Sequence, residues 1–161
     1  MPDPVIAAKA LSHISLKVTD IERSIAWYGA IFGYDLFLNG HAPTPDRSRH
    51  CIGLLGEAGF ALELLQVPGP AEAPGSNTLG PVGLSLTVDD AAAALAAFRA
   101  AGHADATPVI EADAWKVVFL RDPDGNIVEL VQQPHGAATI ADLAPRLRVR
   151  GTTGQAQSAS L

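Results

Sequence analysis

The hydrophobic pattern of the chain begins as an alternation. In LSHISLKV, residues 11–18, apolar side chains occupy every second position, and His13, Ser15 and Lys17 fall on the opposite side. A period of two is typical of a β-strand with one buried face and one exposed face. The segment therefore predicts a strand whose polar face carries a single imidazole.

A helical period follows this strand. The run IERSIAWYGAIF places its apolar residues on one stripe, with Thr19 or Asp20 in position to cap the first turn and Gly33 to end the last. Three further strands are then predicted, at residues 34–39, 49–56 and 60–67. The first part of the chain thus has the order β-α-β-β-β.

The same order begins again after residues 69–80, a segment rich in Pro, Gly and Ala with the composition of a linker. PVGLSLTVDD repeats the alternation, and AAAALAAFRAA predicts a second helix that begins after Asp89 or Asp90 and ends at Gly102. The turn signal DPDG joins the last two of three further predicted strands, at residues 106–110, 115–121 and 126–132.

The two halves can be aligned at both ends. VTD matches VDD, which places His13 opposite Gly83, and ALELLQVP matches IVELVQQP, which places Glu63 opposite Glu129. The shift is 70 residues at the first strand and 66 at the last, a difference that loops absorb. The sequence therefore predicts an α+β fold built from two βαβββ modules.

Composition and charge narrow the class of protein. With 161 residues, 48% of them hydrophobic and 17% charged, the chain has the make-up of an ordinary globular protein. Its net charge of −6 disfavours a nucleic-acid or membrane partner. Cys51 is the single cysteine, which excludes an internal disulfide, and MPDPVIAAKA lacks the form of a secretory signal, so we expect a cytoplasmic protein.

Two carboxylates lie within apolar strands. Glu63 and Glu129 are flanked by Leu or Val, and burying a carboxylate there is costly unless it is paired, hydrogen-bonded or bound to a cation. Either Glu alone fits a residue that faces solvent from a half-exposed strand. Their shared repeat position, together with His13, instead predicts a divalent-metal site made of one imidazole and two carboxylates.

These segments resemble the vicinal oxygen chelate superfamily, which includes glyoxalase I, methylmalonyl-CoA epimerase, extradiol dioxygenases and bleomycin-resistance proteins. The resemblance rests on LSHISLKVTDIERSIAWYGAIFGYDL, FALELLQ, PVGLSLTVDD and FLRDPDGNIVELVQ. It implies that the modules form a cupped mixed sheet in one glyoxalase-like domain, residues 11–134, with module one at 11–68, the linker at 69–80 and module two at 81–134. Outside the domain we expect an N-terminal extension, residues 1–10, and a tail with a short helix and a disordered end, residues 135–161.

The resemblance also implies a ligand set. Carried over by position, the family's metal ligands fall on His13, Glu63, Gly83 and Glu129, of which Gly83 cannot bind metal. Because extradiol dioxygenases use a His at the position of Gly83, that activity is disfavoured. The implied metal set is His13, Glu63 and Glu129, and the sequence does not distinguish Zn, Ni, Mn, Mg or Fe as the divalent ion.

Two functions follow from the resemblance, and both imply a small-molecule partner and a homodimer. The first is a metal-assisted lyase or isomerase/epimerase that uses an enediolate-type intermediate, with Glu63 or Glu129 as the catalytic carboxylate that moves the proton. The alternative is a metal-free protein of the bleomycin-resistance type that binds or sequesters a small molecule. Four residues could line its pocket, if they do not pack in the core or face solvent: Arg49, Trp115, Phe119 and Arg121. A carboxylate that acts without metal is a third possibility.

Overall fold

The three-dimensional structure is a computed structural model that describes residues 12–43, 48–56, 61–67, 83–112 and 114–137. The chain divides into two compact units, Met1–Pro74 and Gly75–Leu161. Three predicted features lie outside the described residues: the N-terminal extension, the linker and the helix in the tail. The module boundaries at residues 11–68 and 81–134 stay predictions.

The first unit is a mixed four-stranded sheet with one helix. Its elements are β1 (Ile14–Val18), α1 (Ile21–Phe32), β2 (Asp35–Pro43), β3 (Ser48–Leu55) and β4 (Ala61–Gln66). The strand order is β1-β4-β3-β2, in which β1 runs parallel to β4 and the other neighbours are antiparallel. The parallel pair brings the polar face of the first strand next to the last strand of the unit.

Helix α1 begins and ends where the sequence predicts. The carboxylate of Asp20 accepts a hydrogen bond from the backbone N–H of Arg23 at 3.1 Å, and Gly33 ends the helix at a left-handed φ of 66°. Trp27 and Tyr28 lie on its buried side, and their rings meet edge to face with centroids 4.8 Å apart. Both aromatic residues therefore belong to the core.

The second unit repeats this architecture. Its elements are β5 (Gly83–Thr87), α2 (Ala91–Ala100), β6 (Ile110–Ala112), β7 (Trp115–Arg121) and β8 (Ile127–Gln132), followed by a 3-10 turn, Pro134–Gly136. The strand order is β5-β8-β7-β6, again with the first and last strands parallel. The predicted α+β class and the two βαβββ modules are confirmed.

One predicted strand differs in the structure. Instead of a continuous strand at residues 106–110, Ala106 forms an isolated bridge with Leu120, and regular pairing begins only at β6. Pro108 separates the two pieces, and proline has no N–H to donate to a sheet. The outer strand of this sheet is therefore short and interrupted.

The turn between β7 and β8 is built around Asp122. This buried carboxylate accepts hydrogen bonds from the backbone N–H groups of Asp124 and Asn126, at 2.9 and 2.8 Å, and from the side-chain amide of Asn126 at 2.8 Å. Gly125 adopts a φ of 81°, which a residue with a side chain rarely does. The predicted turn is confirmed, and it fixes the point at which β8 begins.

The last strand of each unit has one buried face, and its opposite face is partly accessible at the glutamate. In β4, Leu62 and Leu64 are fully buried, and Glu63 between them belongs to the opposite face of the pleated strand. In β8, Glu129 likewise lies between two buried apolar residues. The core packing of the strands thus directs both candidate carboxylates away from the core.

Candidate functional site

In the first unit, β1 and β4 bring an imidazole beside a carboxylate. His13 immediately precedes β1, and its Nε2 lies 3.6 Å from Oε2 of Glu63. The His13 side chain is 46% exposed and that of Glu63 only 18%, so the imidazole is accessible while the carboxylate is largely covered. Ser12 Oγ lies 3.1 Å from Nδ1 of His13, on the other side of the ring. The predicted residues His13 and Glu63 are therefore neighbours.

A serine hydroxyl holds the same carboxylate. Ser15 is the register partner of Glu63 across the parallel pair, and its Oγ donates to Glu63 Oε2 at 2.7 Å. This length is typical of a hydroxyl bound to an ionised carboxylate. Glu63 thus faces one hydroxyl and one imidazole on the accessible side of the sheet.

The second unit repeats the serine–glutamate arrangement. Ser85 is the register partner of Glu129 in the parallel pair of β5 and β8, and its Oγ donates to Glu129 Oε2 at 2.7 Å. On the other side of β8, Phe119 is the register partner of Glu129. Since directly opposed residues lie on the same face of a sheet, the Phe119 ring and the Glu129 carboxylate share this face. Glu129 therefore has a polar neighbour on one strand and an aromatic one on the other.

Gly83 is not a vacant ligand position with room for a side chain. It is the register partner of Ile127, and a Cβ added to Gly83 would lie 2.3 Å from the backbone oxygen of Ile127 and 2.9 Å from its Cβ. Such distances are far inside van der Waals contact. The strands β5 and β8 approach here more closely than any residue with a Cβ permits, so the missing imidazole is also sterically excluded.

A cavity of about 460 Å³ opens on the second unit. Phe119 and Ile127 contribute apolar surface, Thr107 and Asp105 contribute polar groups, and Arg121 lies beside them. The Arg121 side chain is exposed and donates from NH1 to the backbone oxygen of Gly125 at 2.9 Å. The cavity adjoins the face that carries Glu129, because Phe119 contributes to both.

The four predicted lining residues divide into three groups. Phe119 and Arg121 line the cavity, whereas Trp115 is half-buried and is not among its lining residues. The side chain of Arg49 lies outside the described residues. The sequence thus predicted two of the residues that line the cavity, and both lie on β7.

The structure places His13 beside Glu63 in the first unit, and Glu129 lies in the second unit. Within the described ranges no three His, Cys, Asp or Glu side chains form a cluster, so the metal set stays a prediction. The two serines that hold the carboxylates were missed by sequence analysis. A signal was present, since Ser15 and Ser85 are identical residues at equivalent positions of the repeat.

The chemistry of the first unit's donors fits a divalent ion. Two ligands at about 2.1 Å from a tetrahedral ion lie about 3.4 Å apart, close to the 3.6 Å between His13 Nε2 and Glu63 Oε2. In the tautomer with hydrogen on Nδ1, that nitrogen donates to Ser12 Oγ and the Nε2 lone pair faces Glu63. A lone pair facing a carboxylate is favourable only with a proton or a cation between the two groups.

No helix within the described ranges is long and apolar enough to cross a membrane.

Comparison with known proteins identifies the family. Residues 10–130 match the family model of the Glyoxalase/Bleomycin resistance protein/Dioxygenase superfamily. Over 126 residues the chain is 32% identical to a lactoylglutathione lyase of Salmonella typhimurium, and the match covers 76% of this chain and 91% of that relative.

Two solved structures share the fold. A glyoxylase/bleomycin resistance protein/dioxygenase domain from Frankia sp. EAN1pec has a TM-score of 0.67 at 23% identity, over 81% of this chain and 96% of that one. The fosfomycin resistance protein FosX from Listeria monocytogenes, complexed with Mn(II) and sulfate, has a TM-score of 0.59 at 17% identity, over 80% of this chain and 96% of that one. The chain belongs to the Glyoxalase/Bleomycin resistance protein/Dioxygenase superfamily.

Proposed function

We propose that this protein is a divalent-metal-assisted lyase or isomerase/epimerase that acts on a small oxygenated substrate. The observation that carries the proposal is the occurrence of a carboxylate held by a serine at the same place in both modules, with an imidazole 3.6 Å from one of them. The 32% identity to a lactoylglutathione lyase supports the lyase class. The substrate is not specified beyond its oxygen donors.

In this proposal His13, Glu63 and Glu129 are the metal ligands. A bound divalent ion would polarise the substrate's oxygens and stabilise the negative charge that develops when a neighbouring C–H loses its proton. The ion is a divalent metal whose identity stays open among Zn, Ni, Mn, Mg and Fe. Gly83 contributes no ligand, so three protein ligands leave positions for substrate and water.

The protein's own groups have separate tasks in this scheme. The Nε2 of His13 supplies a neutral donor, oriented by the contact between Nδ1 and Ser12. Glu63 or Glu129 accepts the proton at a carboxylate oxygen and returns it to the product. The apolar wall formed by Phe119 and Ile127 excludes water from the face on which Glu129 lies.

Metal analysis of protein purified without chelator tests the proposal. We expect one divalent ion per chain in the wild type, and a content reduced at least tenfold in His13→Ala, Glu63→Gln and Glu129→Gln, since a catalytic site of three ligands does not hold its ion after losing one. Glu111→Gln is the matched control, because this exposed strand glutamate pairs with Lys116 at 3.6 Å and lies outside the ligand set. Wild-type metal content in all three variants would contradict the proposal.

The second candidate function is metal-free binding of a small molecule, and the cavity beside Phe119 favours it. A cavity of about 460 Å³ with an aromatic side chain and a cationic side chain suits a planar anion. Metal-free protein should then bind anilinonaphthalene sulfonate, and Phe119→Ala should weaken binding about tenfold, because stacking on an aromatic ring is lost. Tight binding to protein that never takes up metal would support this alternative over the enzyme. A homodimer and a cytoplasmic location are part of both candidates and stay predictions.

A further inference from the structure

Ser15 and Ser85 form a pair of equivalent hydrogen bonds, and neither candidate function gives the serines themselves a role. Each serine is the register partner of a glutamate on the adjacent parallel strand, and each donates to Oε2 at 2.7 Å. Both serines are exposed, so a hydrogen bond that served stability alone would contribute little.

Comparison of the modules with each other shows that the serine is retained selectively. The polar side of the first predicted strand carries His13, Ser15 and Lys17. The repeat aligns them with Gly83, Ser85 and Thr87. The imidazole of His13 is replaced by Gly83, and Lys17 is replaced by Thr87. Only the middle position keeps its residue, and it is the position that contacts the glutamate.

The hydroxyl restricts what each carboxylate can do. A carboxylate has about four acceptor sites, and each serine occupies one of those on Oε2. Among the described residues no hydrogen bond reaches Oε1 of Glu63 or Glu129. Oε1 and the remaining acceptor site of Oε2 therefore stay available, while the hydroxyl limits how far each carboxylate can turn.

We propose that Ser15 and Ser85 are positioning residues, which hold Glu63 and Glu129 by Oε2 so that the remaining acceptor sites of each carboxylate are directed toward a metal ion or a transferred proton. This inference rests on the proposed function, because it assigns the carboxylates their ligand or proton-acceptor role. Partners that orient metal ligands in this way typically change metal affinity by about 10–100-fold when removed. The two serines act independently, since each contacts its own glutamate.

The experiment measures Mn²⁺ affinity by calorimetric titration of the full chain. Ser15→Ala and Ser85→Ala should each weaken Mn²⁺ binding by about 10–100-fold. Ser15→Thr and Ser85→Thr keep a hydroxyl at the same position and should restore affinity to within about threefold of wild type. Thr87→Val is the matched control, because it removes a hydroxyl from the same strand as Ser85 that contacts Gln133 rather than a glutamate.

A second readout separates failure of this inference from failure of the proposed function. Methylene proton resonances of an ordered glutamate are distinct, whereas those of a freely rotating one average. If wild-type protein binds none of the five divalent ions, the proposed function fails, and the spectra of metal-free protein decide the inference. Loss of the distinct Glu63 signals in Ser15→Ala, with their return in Ser15→Thr, supports it. Alanine variants with unchanged spectra and affinity, or threonine variants as weak as alanine, overturn it.

Discussion

At the scale of single residues, the backbone of Gly83 lies closer to the neighbouring strand than a residue with a Cβ allows. The blocking atoms are the backbone carbonyl and the Cβ of Ile127. A backbone oxygen cannot rotate away as the end of a flexible side chain can. A side chain at position 83 could be accommodated only if β5 moved away from β8. That movement would also displace Ser85 from Glu129.

We predict that Gly83→Ala destabilises the protein by about 1–3 kcal/mol, the usual cost of forcing an extra methyl into closely packed structure. Urea unfolding followed by circular dichroism measures the change. Gly40→Ala is the matched control: Gly40 also lies in a strand, but a Cβ there meets no atom within 4 Å. Equal stability of the Gly83→Ala and Gly40→Ala variants would contradict the close approach of β5 to β8 at Gly83.

At the scale of elements, helix α2 begins at an aspartate whose carboxylate caps its first turn. The carboxylate of Asp90 accepts from the backbone N–H groups of Ala92 and Ala93, at 2.8 and 3.0 Å. The hydrogen bond from Ala93 has the larger effect and that from Ala92 the next largest. Both lower the pKa of Asp90, because they favour the charged carboxylate. Of the two candidates, Asp89 or Asp90, the structure selects Asp90 as the cap.

A pH dependence follows from the lowered pKa. The stabilisation is fully present above the unfolded pKa of 3.8 and is lost as the pH falls through the lower folded value. Asp90→Asn should therefore be less stable than wild type at pH 7, and the difference should disappear as the pH falls through the lowered pKa of Asp90. Urea unfolding over this range checks the prediction. The neighbouring Asp89→Asn is the control, because the cap of α2 is Asp90 and not Asp89. Identical pH profiles for the two variants would contradict the assignment.

At the scale of the whole molecule, a metal that binds the folded state but not the unfolded chain raises the free energy of unfolding. Mn²⁺ at about 100 times its dissociation constant should raise the free energy of unfolding by about 2.7 kcal/mol, because the unfolded chain lacks the assembled ligands. Thermal unfolding with Mn²⁺ and then with excess chelator measures this change. The His13→Ala variant should show no rise with metal, while its metal-free stability should stay close to wild type, because the His13 side chain is 46% exposed.

The architecture could be predicted because it is expressed in local patterns. Asp20 and Gly33 mark the ends of α1, the turn signal before Asn126 marks the start of β8, and the alignment of Glu63 with Glu129 reflects their shared register. These features depend on neighbouring residues or on a repeat that is visible in one dimension.

What could not be predicted depends on distances across strands. The hydrogen bond from Ser15 to Glu63 joins residues 48 positions apart, and alternation alone does not say which strand lies alongside β1. The contact of Gly83 with Ile127 depends on how closely two strands approach, which no residue pattern encodes. The break in the outer strand of the second unit was in principle readable, because Pro108 lies at its middle.

The close approach at Gly83 also has a consequence for any attempt to evolve this protein. A library that varies only position 83 would not introduce a metal-binding side chain there, because every residue other than glycine meets the same backbone oxygen of Ile127. Changing the side chain of Ile127 alone leaves that oxygen in place. A selection for dioxygenase-like chemistry would therefore have to pass through variants that first respace β5 and β8, and such intermediates would be unstable before they were useful.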